Sequence, residues 1–160
     1  MPSITELKKV NFMRILTVIL LLASTISFSA FADDNKAGTK PKLLSFITSD
    51  NTQTQLMGMV LSSQALKQGA EVNILLCGQA GDIALIDAPQ SVLTQLKPKN
   101  MSPQSLMKNI IKMGGTVQVC ALYLPNRGVK KTDLIEGITP ALPPHIAKKM
   151  LDAETKVISF

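Results

Sequence analysis

A nearly continuous apolar run from Val72 to Cys77 limits the fold of this chain more than any other segment. Gly69 before the run and Gly78 after it restrict it to the length of one strand. A strand without polar alternation is typical of parallel sheets that are covered by helices on both faces. The run therefore predicts a central strand of a layered α/β domain.

Predicted strands and helices alternate along the rest of the chain. Thr52 with Gln55 indicates a capping box for a first helix, and Ser102 with Pro103 indicates the start of another. Further predicted elements are strands at Leu43–Thr48, Thr116–Leu122 and Lys156–Phe160, a weak helix at Gln90–Leu96 and a short helix after Pro143-Pro144. We predict an α/β fold, a single layered domain with a mostly parallel sheet flanked by helices.

The first 32 residues have the pattern of a secretory signal peptide. Lys8, Lys9 and Arg14 precede an uncharged stretch, and Ala30-Phe31-Ala32 supplies the small residues of a cleavage site. We predict cleavage after Ala32 and a periplasmic or secreted protein that meets a membrane only during export. An uncleaved anchor would need roughly 20 strongly apolar residues. Residues 33–42 are then a polar tail, and residues 43–160 form the domain.

The charge pattern argues against nucleic-acid binding. Removal of residues 1–32 takes away Lys8, Lys9, Arg14 and Glu6, so the formal net charge falls from +6 to +4. The remaining basic residues form no run and have few aromatic neighbours, unlike a nucleic-acid surface. His145 is the single histidine, and no clustered metal-ligand spacing is present, so neither a metal nor a cofactor is predicted.

Cys120 is the main candidate for chemistry, because it lies late in the predicted third strand and shortly before a turn. A free cysteine is often an inert core residue. If Ala121 to Leu124 begins a helix, its amide groups would lower the pKa of the Cys120 thiol, and Arg127 would assist. Pro125 is equally consistent with the end of a strand.

Cys77 ends the second predicted strand and has three interpretations. It is a core residue, a disulfide partner of Cys120, or the second thiol of a two-cysteine site. Export favours a disulfide. However, if the first strand lies between the other two, the cysteines are two strand spacings apart, about 9–10 Å. A disulfide needs Cα atoms within roughly 7 Å, so this arrangement argues against the bond.

Several segments resemble the DsrE/DsrF-like family of small sulfur-relay proteins. They are Leu-Leu-Ser-Phe-Ile-Thr, Ala-Leu-Lys-Gln-Gly-Ala-Glu-Val, the stretch from Gly114 to Val129, Asp133-Leu134, Gly137-Ile138 and the terminal Lys-Val-Ile-Ser-Phe. The resemblance spans about Lys42 to Phe160, and its specific part surrounds Cys120. It implies an α/β sandwich that forms homo-oligomers.

The resemblance also implies that Cys120 carries a persulfide and exchanges its sulfur with a donor or acceptor protein. The relay members act in the cytoplasm, whereas this chain has an export signal. Two other hypotheses therefore stand beside the exported sulfur carrier. One is a non-catalytic oligomeric binding or accessory module with structural cysteines, and the other is a thiol–disulfide or metal-handling protein that uses Cys77 with Cys120.

Overall fold

The computed structural model describes residues 40–160; the predicted signal peptide, its cleavage site and most of the predicted polar tail lie outside this range. The strands are β1 (Lys42–Ile47), β2 (Glu71–Leu76), β3 (Thr116–Val119), β4 (Thr139–Pro140) and β5 (Thr155–Ser159), and the α-helices are α1 (Thr52–Lys67), α2 (Gln90–Leu93), α3 (Pro103–Lys112), α4 (Tyr123–Arg127) and α5 (Pro143–Met150). Short 3-10 helices cover Gly78–Ala84 and Lys131–Asp133. Within residues 40–160, no helix has the length and apolar character needed to cross a membrane.

The five strands form one parallel sheet in the order β4-β3-β2-β1-β5. This arrangement confirms the predicted α/β fold with its parallel sheet flanked by helices. The expectation that the first strand lies between the second and third was wrong. The last strand, β5, pairs with β1 on the side away from β2, and β3 therefore pairs directly with β2.

The two faces of the sheet are covered unequally. Helices α1 and α3 cover one face, where the main core includes fully buried Met59, Met107 and Ile110. The opposite face carries a smaller cluster, to which α5 contributes Ile146 beside Leu44, Leu75 and Ala141. The carboxyl ends of β2 and β3 border this thinly covered face.

Side-chain caps fix where the two longest helices begin. The Ser102 hydroxyl accepts the Ser105 N–H at 3.2 Å and Pro103 follows it, as the sequence predicts for α3. The predicted Thr52–Gln55 capping box is wrong, because Asn51 caps α1 and accepts the Thr54 N–H at 3.0 Å. Asparagine is as effective an N-cap as serine. The Gln55 amide instead donates to the Ser49 carbonyl at 2.8 Å.

Strand boundaries also differ slightly from the prediction. The strand β3 ends at Val119, so Cys120 follows it, and β1 begins at Lys42, the last residue of the predicted tail. The two-residue strand β4 was not predicted.

An ion pair ties the start of β1 to the loop before β5. Lys42 Nζ donates to Asp152 Oδ2 at 2.8 Å. This hydrogen bond, followed by one from the Glu154 N–H, lowers the pKa of Asp152 to about 2. Because the folded-state pKa lies below the ordinary value of 3.8, the pair stabilises the fold above that pH and loses this effect as the pH falls towards 2.

We expect Asp152→Asn to lower the melting temperature by a few degrees at pH 6. The difference from the unsubstituted protein should shrink steadily between pH 4 and pH 2, as the Asp152 carboxylate is protonated. Thermal unfolding followed by circular dichroism across this range measures the effect. Asp87→Asn, at an exposed carboxylate, is the control and should show little difference at any pH. A difference for Asp152→Asn that does not change with pH would contradict the assignment.

Candidate functional site

Cys77 and Cys120 form a disulfide with a Cα–Cα distance of 5.1 Å. Each cysteine is the first residue after its strand, and Leu76 pairs with Val119 at the ends of β2 and β3. The expectation against this disulfide was wrong, because neighbouring parallel strands are about 4.8 Å apart rather than two spacings. The Cys120 N–H donates to the Leu76 carbonyl at 2.8 Å, which extends the ladder to the cysteine itself.

The two cysteines are half-buried and line a cavity of about 930 Å³ on the face that α5 covers. This volume is typical of small-molecule sites. Its apolar walls include Leu75, Ala141, Ile146 and Met150. Leu122 lies at the cavity and is 73% exposed. The disulfide is therefore bordered by an open apolar cavity instead of being sealed in the core.

A hydrogen-bonded group of three side chains forms the polar side of the cavity. The Tyr123 hydroxyl donates to Asp82 Oδ1 at 2.7 Å, and Arg127 Nε donates to the same oxygen at 2.9 Å. Arg127 Nη2 reaches Asp82 Oδ2 at 3.4 Å. Tyr123 and Arg127 are four residues apart on α4 and so share one helical face. Asp82 thereby links the segment after Cys77 to the segment after Cys120.

The surroundings of Tyr123 and Arg127 shift the pKa values of both side chains. Burial, followed by the hydrogen bond to Asp82, raises the pKa of Tyr123 well above its ordinary value, so the phenol remains a proton donor. The hydrogen bond and charge of Asp82 raise the pKa of Arg127. The expected role of Arg127 beside the Cys120 thiol stays a prediction; its guanidinium contacts Asp82, and both residues line the cavity with Cys120.

The other sequence candidates lie elsewhere or have ordinary surroundings. His145 is exposed near the start of α5 and does not line the cysteine cavity. No group of three or more potential metal ligands occurs among residues 40–160. Gly78 to Gly81 form the start of a 3-10 helix. Of the two alternatives left open for the segment after Cys120, the helix is present; it begins at Tyr123, two residues after Ala121, and includes Pro125.

Asp82 and Tyr123 were not identified from the sequence. Tyr123 is the single tyrosine of the chain and comes three residues after Cys120. Asp82 is an isolated acidic residue in the otherwise uncharged segment from Gly78 to Ile86. These two features are the signals that would have marked them.

A close contact between Gly81 and Tyr123 holds the wall of the cavity. A Cβ atom at Gly81 would overlap the ring of Tyr123. We expect Gly81→Ala to lower the free energy of unfolding by about 1–3 kcal/mol, as is typical of overpacking. Urea unfolding measures this change. Gly58→Ala is the control and should cost less, because its Cβ would lie 3.0 Å from Ile47 Cδ1 and Phe160 Cδ2, a milder contact than at Gly81, and alanine improves helix propensity by about 1 kcal/mol.

A double variant tests whether the ring is the cause. In a Tyr123→Ala background, Gly81→Ala should cost much less than in the unsubstituted protein, because the overlapping ring is gone. Equal costs in the two backgrounds would contradict this explanation.

The fold matches solved structures, although no protein-family model and no curated protein matches the sequence. The ychN protein from E. coli aligns over 76% of this chain and 100% of its own, with a TM-score of 0.61 and 15% identity. MTH1491 from Methanobacterium thermoautotrophicum, a protein of unknown function, aligns over 74% of this chain and 98% of its own, with a TM-score of 0.55 and 13% identity. BT1422 from Bacteroides thetaiotaomicron, a conserved protein of unknown function, aligns over 75% of this chain and 95% of its own, with a TM-score of 0.54 and 22% identity. Both ychN and MTH1491 have the DsrE-like fold, and at these identities the comparison concerns the fold alone.

Proposed function

We propose that this chain is an exported, thiol-dependent sulfur carrier of the DsrE-like type. In this proposal the Cys77–Cys120 pair alternates between a disulfide and two thiols, and Cys120 holds a sulfane sulfur as a persulfide. One observation carries the proposal: the disulfide lies at the carboxyl ends of two neighbouring parallel strands and lines an open apolar cavity. In open α/β sheets this edge is where ligands bind.

The sulfur-accepting step starts from the two thiols, after a dithiol reductant has opened the disulfide. The Cys120 thiolate attacks the outer sulfur of a donor persulfide, a new sulfur–sulfur bond forms at Cys120, and the donor thiolate leaves. An acceptor thiolate then attacks the outer sulfur of the Cys120 persulfide, and the Cys120 thiolate leaves. One sulfur atom is moved in each step, and no outside oxidant is needed.

Cys77 supplies the alternative fate of the persulfide. Its thiolate can attack the Cys120 sulfur, which releases hydrosulfide and restores the disulfide. The 5.1 Å separation of the two Cα atoms supports this role, because it is within disulfide range. The apolar walls also support the proposal, since they offer aliphatic surface beside the sulfur atoms to a donor or acceptor. The proposal includes a homo-oligomer and a partner protein as donor or acceptor.

A second candidate function is a binding module in which the disulfide is structural. The observation that favours it is the composition of the cavity walls, where apolar residues outnumber polar ones. A small-molecule site usually combines such walls with a few polar groups, and Asp82, Tyr123 and Arg127 would be those groups.

One prediction of this proposal is that the fold survives reduction of the disulfide. The disulfide joins residues 43 positions apart, for which chain entropy gives about 4 kcal/mol of stabilisation as an upper value. We expect a dithiol reductant to lower the free energy of unfolding by about 2–4 kcal/mol, while the far-ultraviolet circular dichroism spectrum is retained. The β2–β3 ladder should hold the reduced thiols in place.

The Cys77→Ser/Cys120→Ser double variant is the matched control for this experiment. It should have the stability of the reduced protein and should not respond to reductant. Loss of the folded spectrum on reduction would contradict the proposed sulfur-carrier function and favour the binding module with a structural disulfide.

The second prediction concerns the residue that receives sulfur. We expect the reduced Cys77→Ser variant to gain one sulfur atom from a sulfane-sulfur donor, as measured by intact mass, because the resolving thiol is gone. The Cys120→Ser variant should gain none. The reduced unsubstituted protein should return to the disulfide and release hydrosulfide. Sulfur on Cys77, or no gain with thiols that resist alkylation in the folded state, would overturn the carrier.

A further inference from the structure

The geometry points to a small organic thiol with an anionic group as the molecule that exchanges with this disulfide, and to Arg127 as the residue that recognises the anion. The inference rests on the proposed function and names the substrate class of the same site.

The size of the cavity argues for an organic molecule. A water molecule occupies about 30 Å³ of liquid, and hydrosulfide is of similar size. The cavity of about 930 Å³ is far larger. A bare hydrosulfide ion would leave most of it unfilled, whereas a thiol with an organic body would contact its walls.

The walls indicate which part of the molecule lies where. Leu75, Ala141, Ile146 and Met150 offer aliphatic surface beside the disulfide. An aliphatic carbon chain next to the sulfur would remove this surface from water and gain about 25 cal/mol for each Å² buried. The polar end of the molecule should therefore lie away from these residues.

Arg127 lies at the polar side of the same cavity. Its Nε and Nη2 atoms are bonded to the two carboxylate oxygens of Asp82, which leaves the Nη1 protons available. The Arg127 side chain is 51% exposed, against 16% for Asp82. Asp82 Oδ1 also accepts the Tyr123 hydroxyl. The carboxylate is therefore covered by its own donors, and the cation is the more accessible of the two charges.

The anchored guanidinium is suited to bind an anion. Arg127 and Asp82 are the two charged residues among the described residues that line the cavity. Because Asp82 already fixes the guanidinium, little additional side-chain freedom is lost when a carboxylate or a similar anion binds to it. Charge-assisted hydrogen bonds of this kind are about twice as strong as neutral ones.

The covalent step is a thiol–disulfide exchange. The substrate thiol gives its proton to water, and its thiolate attacks the Cys120 sulfur. A bond between the substrate sulfur and Cys120 forms, the Cys77–Cys120 bond breaks, and Cys77 leaves as the thiolate. The substrate sulfur is oxidised and Cys77 is reduced, so the step balances without another reactant.

The test compares three thiols that differ in their end group. The purified disulfide form is mixed with 3-mercaptopropionate, its neutral amide or cationic cysteamine, and the mixed disulfide is followed by intact mass. Each rate is divided by the rate of the same thiol with a small reference disulfide, which removes differences in thiol reactivity. We expect the anionic thiol to exceed the neutral amide at least about tenfold, the equivalent of 1.4 kcal/mol, and cysteamine to be the slowest.

Variants assign the preference to Arg127. Arg127→Gln should abolish the preference for the anion, and Arg127→Lys should retain part of it. Lys131→Gln removes an exposed positive charge that does not line the cavity and should keep the full preference. If Arg127→Gln does not fold, the ratio of the anionic to the neutral thiol rate in the unsubstituted protein still tests the preference for an anion.

The outcomes separate this inference from the proposed function. Equal normalised rates for the three thiols, or a preference that survives Arg127→Gln, would overturn the anionic substrate while leaving the exchange chemistry intact. Failure of all three thiols to form a mixed disulfide, while a dithiol reductant still opens the bond, would overturn this inference and leave the sulfur carrier standing. A disulfide that also resists the dithiol reductant would overturn the proposed function itself.

Discussion

The backbone hydrogen bonds between β2 and β3 set the geometry of the candidate site. Their parallel register pairs Leu76 with Val119, so the next residue of each strand reaches the same edge of the sheet. The strand pairing alone places a cysteine at both of those positions within disulfide distance. The Asp82 group and the proposed exchange depend on this pairing, because the segments that carry Asp82, Tyr123 and Arg127 begin at the two cysteines.

The two faces of the sheet have different roles: one holds the main core, and the other leaves the disulfide accessible. On one face, α1 and α3 bury a large aliphatic core in which Met59, Met107 and Ile110 are fully covered. On the other face, α5 has eight residues and leaves room for the cavity beside it. A disulfide facing the first layer would be sealed by close packing. On the second face it meets the surrounding solution while the main core remains intact.

The helices and strands could be predicted from local sequence chemistry, whereas the order of the strands in the sheet could not. The apolar run at Val72–Cys77 correctly indicated a parallel strand, and Ser102 with Pro103 correctly marked the start of α3. Hydrophobic periodicity carries no information about which strands become neighbours, so the position of β5 beside β1 was missed and the disulfide was judged unfavourable. Asp82 and Tyr123 are 41 residues apart, and their hydrogen bond exists because the strand order brings their segments together.

The Asp82 group joins the same two segments as the disulfide, but without a covalent bond. Asp82 follows Cys77 in the chain, whereas Tyr123 and Arg127 follow Cys120. When the sulfur–sulfur bond opens, these hydrogen bonds keep the freed thiol close to its former partner, at a high effective concentration. Ring closure then competes with every thiol that arrives by diffusion. In the proposed exchange, Cys77 therefore shortens the lifetime of a mixed disulfide at Cys120, because its attack is intramolecular.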